Sequence, residues 1–193
     1  MIVPATADRF ADVASLVGTD DLDVPACWCL SNRLSSAEFN RLRGPDRPRR
    51  LRELCDQELA PGLLAYLDDT VVGWCSFGPR PEMERLMRSR TIPRLDPPDT
   101  WCIVCFVVTA NARRQGIASA LLLASVDYAR RHGAPAIEGY PIDTAGRRVS
   151  GAFAYVGTVS MFERAGFHHL GDTTAHSAKL QRVVMRHELQ GTP

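Results

Sequence analysis

An α/β fold built on a mixed central sheet is what this sequence predicts, and three observations carry the prediction. "LLAYLDDTVVGWCSFGP" sets two apolar runs about Asp68-Asp69-Thr70, a hairpin signature. "TWCIVCFVV" is a strand followed closely by an amphipathic helix over 114–131, where Ile117, Leu121, Ala124 and Tyr128 recur at helical spacing. "FHHLGD" and "KLQRVVMRHEL" then read as two more strands. Several hairpins among alternating strands and helices predict a mixed sheet.

The remaining elements follow in chain order. "IVPA" reads as a short first strand, and "TADRFADVASLVG" as a helix capped by Thr6 with Phe10, Val13 and Val17 on one side. "PACWCLS" reads as a strand or an irregular segment. "SSAEFNRLRGPDRPRRLRELCDQEL" is helical with a break at Gly44-Pro45. Residues 78–100 are proline-rich around the short helix "EMERLMRSR"; connections this long in a compact domain are often functional. After the 114–131 helix come strand "AIEGYPI", the polar loop "DTAGRRVSG" and helix "VGTVSMFERAG".

The bulk numbers restrict the function classes. A chain of 193 residues suits one domain over 1–193. With 23 basic and 22 acidic side chains the net charge is +1, which argues against nucleic acid or an anionic membrane as the main partner. The arginines between 41 and 52 are interleaved with Asp46, Glu53, Asp56 and Glu58 and read as a solvated helix face. No apolar run has the length of a membrane span, and no export signal opens the chain, so a cytoplasmic protein with reduced thiols is expected. Cys102 and Cys105 sit three apart in a buried strand, where alternation would point them to opposite faces. Cys27 and Cys29 would share a strand face, yet no second pair of matching spacing follows, so no metal site is expected.

The segment with most chemical content is "VVTANARRQGIASALLLASVDYARRHG". Arg113 to Ala118 form the loop and first turn of a helix, whose leading N–H groups lack internal partners and carry the positive end of the dipole. Such a terminus is a phosphate site. Gly116 lets an oxygen approach the backbone, Ala118 is small for the same reason, and Arg113 and Arg114 add charge-assisted contacts. A basic helix start is mildly unfavourable without an anion, which favours the ligand reading over a chance cluster.

The strand, "VTAN" and then Arg113-Arg-Gln-Gly116-Ile-Ala118 resemble the Q/R-x-x-G-x-G/A motif of the GNAT family of N-acetyltransferases. "FERAGF", Phe162 to Phe167, is similar to that family's "YEKLGF" segment. The order of elements matches over about residues 2–189. The resemblance implies the GNAT fold: a mixed central β-sheet splayed after the fourth strand, with helices on both faces. It implies acetyl-CoA as the acyl donor, its pantetheine arm pairing with Phe106, Val107 and Val108. Its pyrophosphate would rest on the backbone around Arg113, Arg114, Gln115, Gly116, Ile117, Ala118 and Ser119. A primary amine would then take the acetyl group directly, in a monomer or homodimer.

The chain departs from the family pattern twice. Where several relatives carry a base glutamate early in the fourth strand, it has Cys102. Where many place a tyrosine acid, it has Phe162. The substitutes are Glu138, as the end of a water relay for the amine proton, and Tyr155, as donor to the departing thiolate. Asp143 and Tyr140 are further candidates. An oxyanion donor is expected from a strand N–H near Val107. The acceptor pocket should be shaped by residues 27–43 and 78–100. With both usual groups missing, a non-catalytic acyl-CoA binder or sensor is the rival reading.

Overall fold

The structure is a computed structural model describing residues 1–19, 21, 26–95, 97–147, 154–177 and 179–189. The sheet runs β1 (Ile2–Pro4), β2 (Gly62–Leu67), β3 (Thr70–Pro79), β4 (Trp101–Val108), β5 (Ala136–Gly139), β7 (Leu180–Glu188), β6 (His168–Ser177), a seven-stranded order. Neighbours are antiparallel except β4 and β5, whose parallel ladder is Trp101↔Ile137, Cys102↔Glu138 and Ile103↔Gly139. The sheet is therefore mixed, as the sequence predicts.

The helices are α1 (Phe10–Val17), α2 (Ser36–Arg41), α3 (Asp46–Cys55), α4 (Glu84–Met87), α5 (Ile117–Arg131) and α6 (Val159–Arg164). The α5 stripe of Leu121, Leu122, Val126 and Ala129 packs on one face of the sheet against Leu63, Ala65, Cys75 and Phe77, with Met161 and Phe162 of α6 in the same cluster. On the opposite face Val13 and Val17 of α1 and Leu51 and Cys55 of α3 meet Leu64 and Trp74, and α4 brings Leu86 over Cys102 and Val104. Helices thus cover both faces. A fully buried aliphatic or aromatic side chain contributes about 1.5–3 kcal/mol, so these clusters carry most of the fold's stability.

The opening in the sheet has a local cause. Between β3 and β4 the register shifts, with Ser76 opposite Cys105 and Phe77 opposite Ile103, so Val104 is an extra residue. A bulge bends its strand and resets the alternation of side chains. Trp101 and Ile103 face α5 before it; Phe106 and Val108 face α5 after it. The β4–β5 ladder stops at Ile103, the residue before the bulge. From there β4 continues without β5, and Pro141, which has no N–H, follows at the end of β5. Gly139 marks the apex, because an added Cβ would lie 2.1 Å from the Phe162 ring.

Several sequence expectations are corrected. The bulge places Cys102 and Cys105 on the same face, since both join the cluster under α4. Cys27 and Cys29 are not on a strand: Trp28 and Cys29 have positive φ (49° and 51°) in a turn, and Cys29 Sγ accepts from Trp74 Nε1 at 3.2 Å. Thr6 caps no helix through its side chain; its hydroxyl donates to Asp8 and accepts from Arg9. The first helix starts as a 3₁₀ turn, Ala7–Arg9, before α1. β6 continues past Asp172 to Ser177, beyond the "FHHLGD" expected as strand, and makes a long hairpin with β7. The break at Gly44-Pro45 does separate α2 from α3, and Ser35 accepts from the Glu38 N–H as the α2 cap.

Candidate functional site: the cleft beside β4

A cavity of about 420 Å³ lies between the free edge of β4 and the start of α5. Phe106, Val107 and Val108 line its strand side; Arg113, Arg114, Gly116, Ile117, Ala118 and Ser119 line its helix side. Tyr155, in the short 3₁₀ turn Ala154–Val156 and 40 % exposed, closes it. The structure brings nearly all the sequence-predicted cofactor residues and one predicted catalytic residue to one place. Gln115 does not line it; its Nε2 turns back to donate to Asn111 O at 2.9 Å.

The strand register decides which β4 amides are available. Thr109 N donates to Val72 O at 2.9 Å, so Thr109 and Val107 point their backbone toward β3. By alternation, Phe106 and Val108 present N–H and C=O to the open side. Arg113 Nε donates to Val108 O at 3.2 Å, which fixes the guanidinium beside the strand end. The expected N–H near Val107 is thus offered by its two neighbours, while the Val107 side chain packs with the cluster under α1 and α3.

At the helix start Gly116 adopts φ +80°, a left-handed conformation that glycine enters without strain. Arg114 before it is also left-handed, at φ +62°. A Cβ added to Gly116 would meet no atom within 4 Å, so the space beside this backbone is open. The N–H groups of Ile117, Ala118 and Ser119 have no partner within the helix and point that way. Open space, unpaired amides, a helix dipole and two arginines together suit a phosphate.

Glu138 lies elsewhere. It is fully buried on β5, opposite Cys102 and Arg186 in the sheet. Arg80 Nη1 donates to its Oε2 at 2.7 Å and Tyr140 OH to the same oxygen at 3.0 Å. Arg186 donates to Oε1 from Nη2 at 2.5 Å and from Nε at 3.2 Å. The carboxylate is saturated with donors and does not reach the cleft, so its geometry is that of a structural anion and not of a relay terminus. Burial holds the Tyr140 phenol well above its ordinary pKa, and its proton is committed to Glu138. Asp143 is exposed and accepts from Ala145 N at 2.8 Å. Phe162 is fully buried, edge-on to Phe106 at 6.4 Å and to Phe167 at 4.8 Å. No carboxylate among the described residues lines the cleft.

All six cysteines are free thiols. Burial pushes the Cys102 and Cys75 thiols up to about 12 and Cys55 to about 11, leaving them protonated at neutral pH. Cys102→Ala should therefore lower stability by about 1 kcal/mol through lost packing and leave turnover intact. Denaturant melts and a rate assay check this; an acetyl-thioester trapped on Cys102 would overturn direct transfer. Among the described residues no group of three or more His, Cys, Asp and Glu side chains is placed to hold a metal, and no helix is long and apolar enough to cross a membrane.

The sequence model of the Acetyltransferase (GNAT) family matches residues 31–145, more than half of the chain. The chain belongs to the GNAT acetyltransferase family. No curated protein matches it by sequence. Among solved structures, its fold is similar to a ribosomal-protein-alanine N-acetyltransferase from Brucella melitensis. That pair has a TM-score of 0.57 at 18% identity, with 98% of this chain and 99% of that one covered. It is likewise similar to an N-acetyltransferase from Staphylococcus aureus, with a TM-score of 0.57, 16% identity and 98% of each chain covered. A third is diaminobutyrate acetyltransferase from Paenibacillus lautus, solved with its substrate L-2,4-diaminobutyric acid and coenzyme A. There the TM-score is 0.55 at 18% identity, over 100% of this chain and 97% of that one.

Proposed function

We propose that this chain acts as a single-domain N-acetyltransferase that passes the acetyl group of acetyl-CoA directly to a primary amine. The observation that carries the reading is the convergence, in one cleft, of the open Gly116 backbone, the unpaired β4 edge and the Tyr155 hydroxyl. The family and two neighbours named as N-acetyltransferases support the reaction class. The pyrophosphate would be held by the amides of Ile117, Ala118 and Ser119 with Arg113 and Arg114. The pantetheine arm would pair with Phe106 and Val108. Six free thiols accord with a cytoplasmic setting.

The cosubstrate supplies an activated thioester; the chain supplies placement and proton handling. The amine nitrogen attacks the carbonyl carbon, and the oxygen that gains charge is met by a β4 amide, Phe106 or Val108. The C–S bond then breaks and the thiolate takes a proton from Tyr155. The amine proton leaves through water, because Glu138 is committed to Arg80, Arg186 and Tyr140. The rate should then rise with pH as the acceptor amine deprotonates.

A panel of amines incubated with acetyl-CoA, read by release of free thiol, tests the reading. Tyr155→Phe should slow turnover roughly 10²-fold, within the usual range for a general acid, with coenzyme A affinity unchanged. Full activity in that variant would assign the thiolate proton to water. That no carboxylate among the described residues lines the cleft favours one rival, a non-catalytic acyl-CoA binder; binding without thiol release from any amine would select it.

A further inference from the structure

A second cavity, of about 600 Å³, opens on the sheet face opposite α5, between the start of α2, α4 and the β6–β7 hairpin. Its charges have one sign. Arg85, Arg88 and Arg182 line it beside Asn32, Ser35 and His176, and no described lining residue is acidic. Arg88 is an exposed partner of Glu84 at 2.8 Å. The other two arginines have no carboxylate within salt-bridge distance among the described residues. Arg85 is half-buried, its guanidinium 5.3 Å above the Phe39 ring, and its buried Nε has no hydrogen-bond partner. Arg182 donates from Nε to Tyr140 O at 2.8 Å and sits 5.9 Å from the Tyr140 ring. Burial lowers the Arg182 pKa, opposed only by the phenols of Tyr155 and Tyr140. A desolvated guanidinium without an anion is costly, and a bound anion removes that cost.

This cavity is tied to the cleft beside β4 through the chain around Ile142. Arg182 lies on its wall, bridged to Ile142 just beyond the end of β5. The same Arg182 feels the phenol of Tyr155, which closes the cleft. Ile142 N in turn donates to Gly157 O at 3.1 Å, two residues after Tyr155, so the turn that closes the cleft is anchored beside the strand that carries Arg182. The volume is that of a small-molecule site.

We propose that this cavity receives the acceptor and that the acceptor is a small amine carrying an anionic group, a carboxylate or a phosphate, held by Arg85 and Arg182. The inference rests on the transferase reading. Arg85 and Arg182 act here as binding residues: they seat the anion so that the amine at the other end of the molecule points past Tyr155 to the acyl carbon.

The test uses matched pairs at saturating acetyl-CoA, read by free-thiol release: amino acids against their amides, and ethanolamine phosphate against ethanolamine. The acidic member of one pair should exceed its neutral partner by roughly ten- to a hundredfold in kcat/KM, the range of charge-assisted hydrogen bonds. The pair that shows the gap says whether carboxylate or phosphate is preferred. Arg85→Met and Arg182→Met should each collapse the gap, chiefly through a higher KM for the acidic amine. If Arg182→Met does not fold, Arg85→Met alone decides. Equal use of acidic and neutral amines, or a gap that survives Arg85→Met, overturns the inference and leaves the transferase reading standing. If no amine is acetylated, calorimetry on the coenzyme A-loaded protein decides. Arginine-dependent binding of the acids sustains the anion site and sinks the transferase reading; no binding overturns the site.

Discussion

Gly116→Glu should give a folded protein that binds coenzyme A roughly a hundredfold more weakly, the effect expected when charge-assisted hydrogen bonds to a phosphate are lost. The backbone at Gly116 has φ +80°, so a side chain there costs about 1–2 kcal/mol of strain. The fold tolerates this, because a Cβ would meet nothing within 4 Å and a carboxylate near a helix N-terminus is favourable. That open space is where a phosphate would lie, and the glutamate would fill it with like charge. Titration calorimetry beside a thermal melt separates the two effects. Gly116→Ala, which brings the strain without the charge, should lose far less affinity. Unchanged affinity in a folded Gly116→Glu protein would move the phosphate site away from α5.

Glu138→Ala acts on a different quantity. Removing the carboxylate leaves Arg80 and Arg186 facing each other, their side chains only 3 % and 6 % exposed and without that counter-ion. Breaking a buried ion cluster in this way costs about 3–5 kcal/mol, a large part of a domain's stability. Urea denaturation should show the loss. The triple variant Glu138→Leu, Arg80→Met, Arg186→Leu should recover much of it, since apolar groups of similar volume replace such clusters well. A single-variant loss under about 1 kcal/mol would mean that water reaches the cluster. Glu138→Gln, assayed at a temperature where it remains folded, should keep most of its turnover, as a carboxylate outside the cleft would.

These two variants mark how far the sequence was legible. Gly116 and its arginines are contiguous, and their chemistry follows from helix-end physics and the family motif, so the cleft could be drawn in advance down to Ser119. Glu138 read as a strand carboxylate because its partners are remote: Arg80 is 58 residues away and Arg186 is 48. Charge pairing at that separation leaves no periodic trace. The Val104 bulge was equally hidden. Strand alternation read along "WCIVCFVV" is uninterrupted, and only the register against β3 reveals the extra residue. Tyr155 was located by its place before α6. The basic cavity beside α4 takes Asn32, Ser35, Arg85 and Arg88 from segments 27–43 and 78–100, whereas Thr174, His176 and Arg182 come from a hairpin longer than the two strands legible in the sequence.

The bulge bears on the life of the chain before any ligand arrives. β4 is finished at residue 108 and β5 begins at 136, so at ordinary translation speeds β4 waits roughly a few seconds for its neighbour. During that interval the apolar edge of "WCIVCFVV" is bare, and beyond Ile103 β5 does not pair with it in the finished protein. A long, flat, apolar edge is a template for the edge of another chain. By bending the strand where its edge becomes free, Val104 makes that template a poor one. The device that opens the sheet to a substrate should therefore also protect nascent and ligand-free molecules from aggregation.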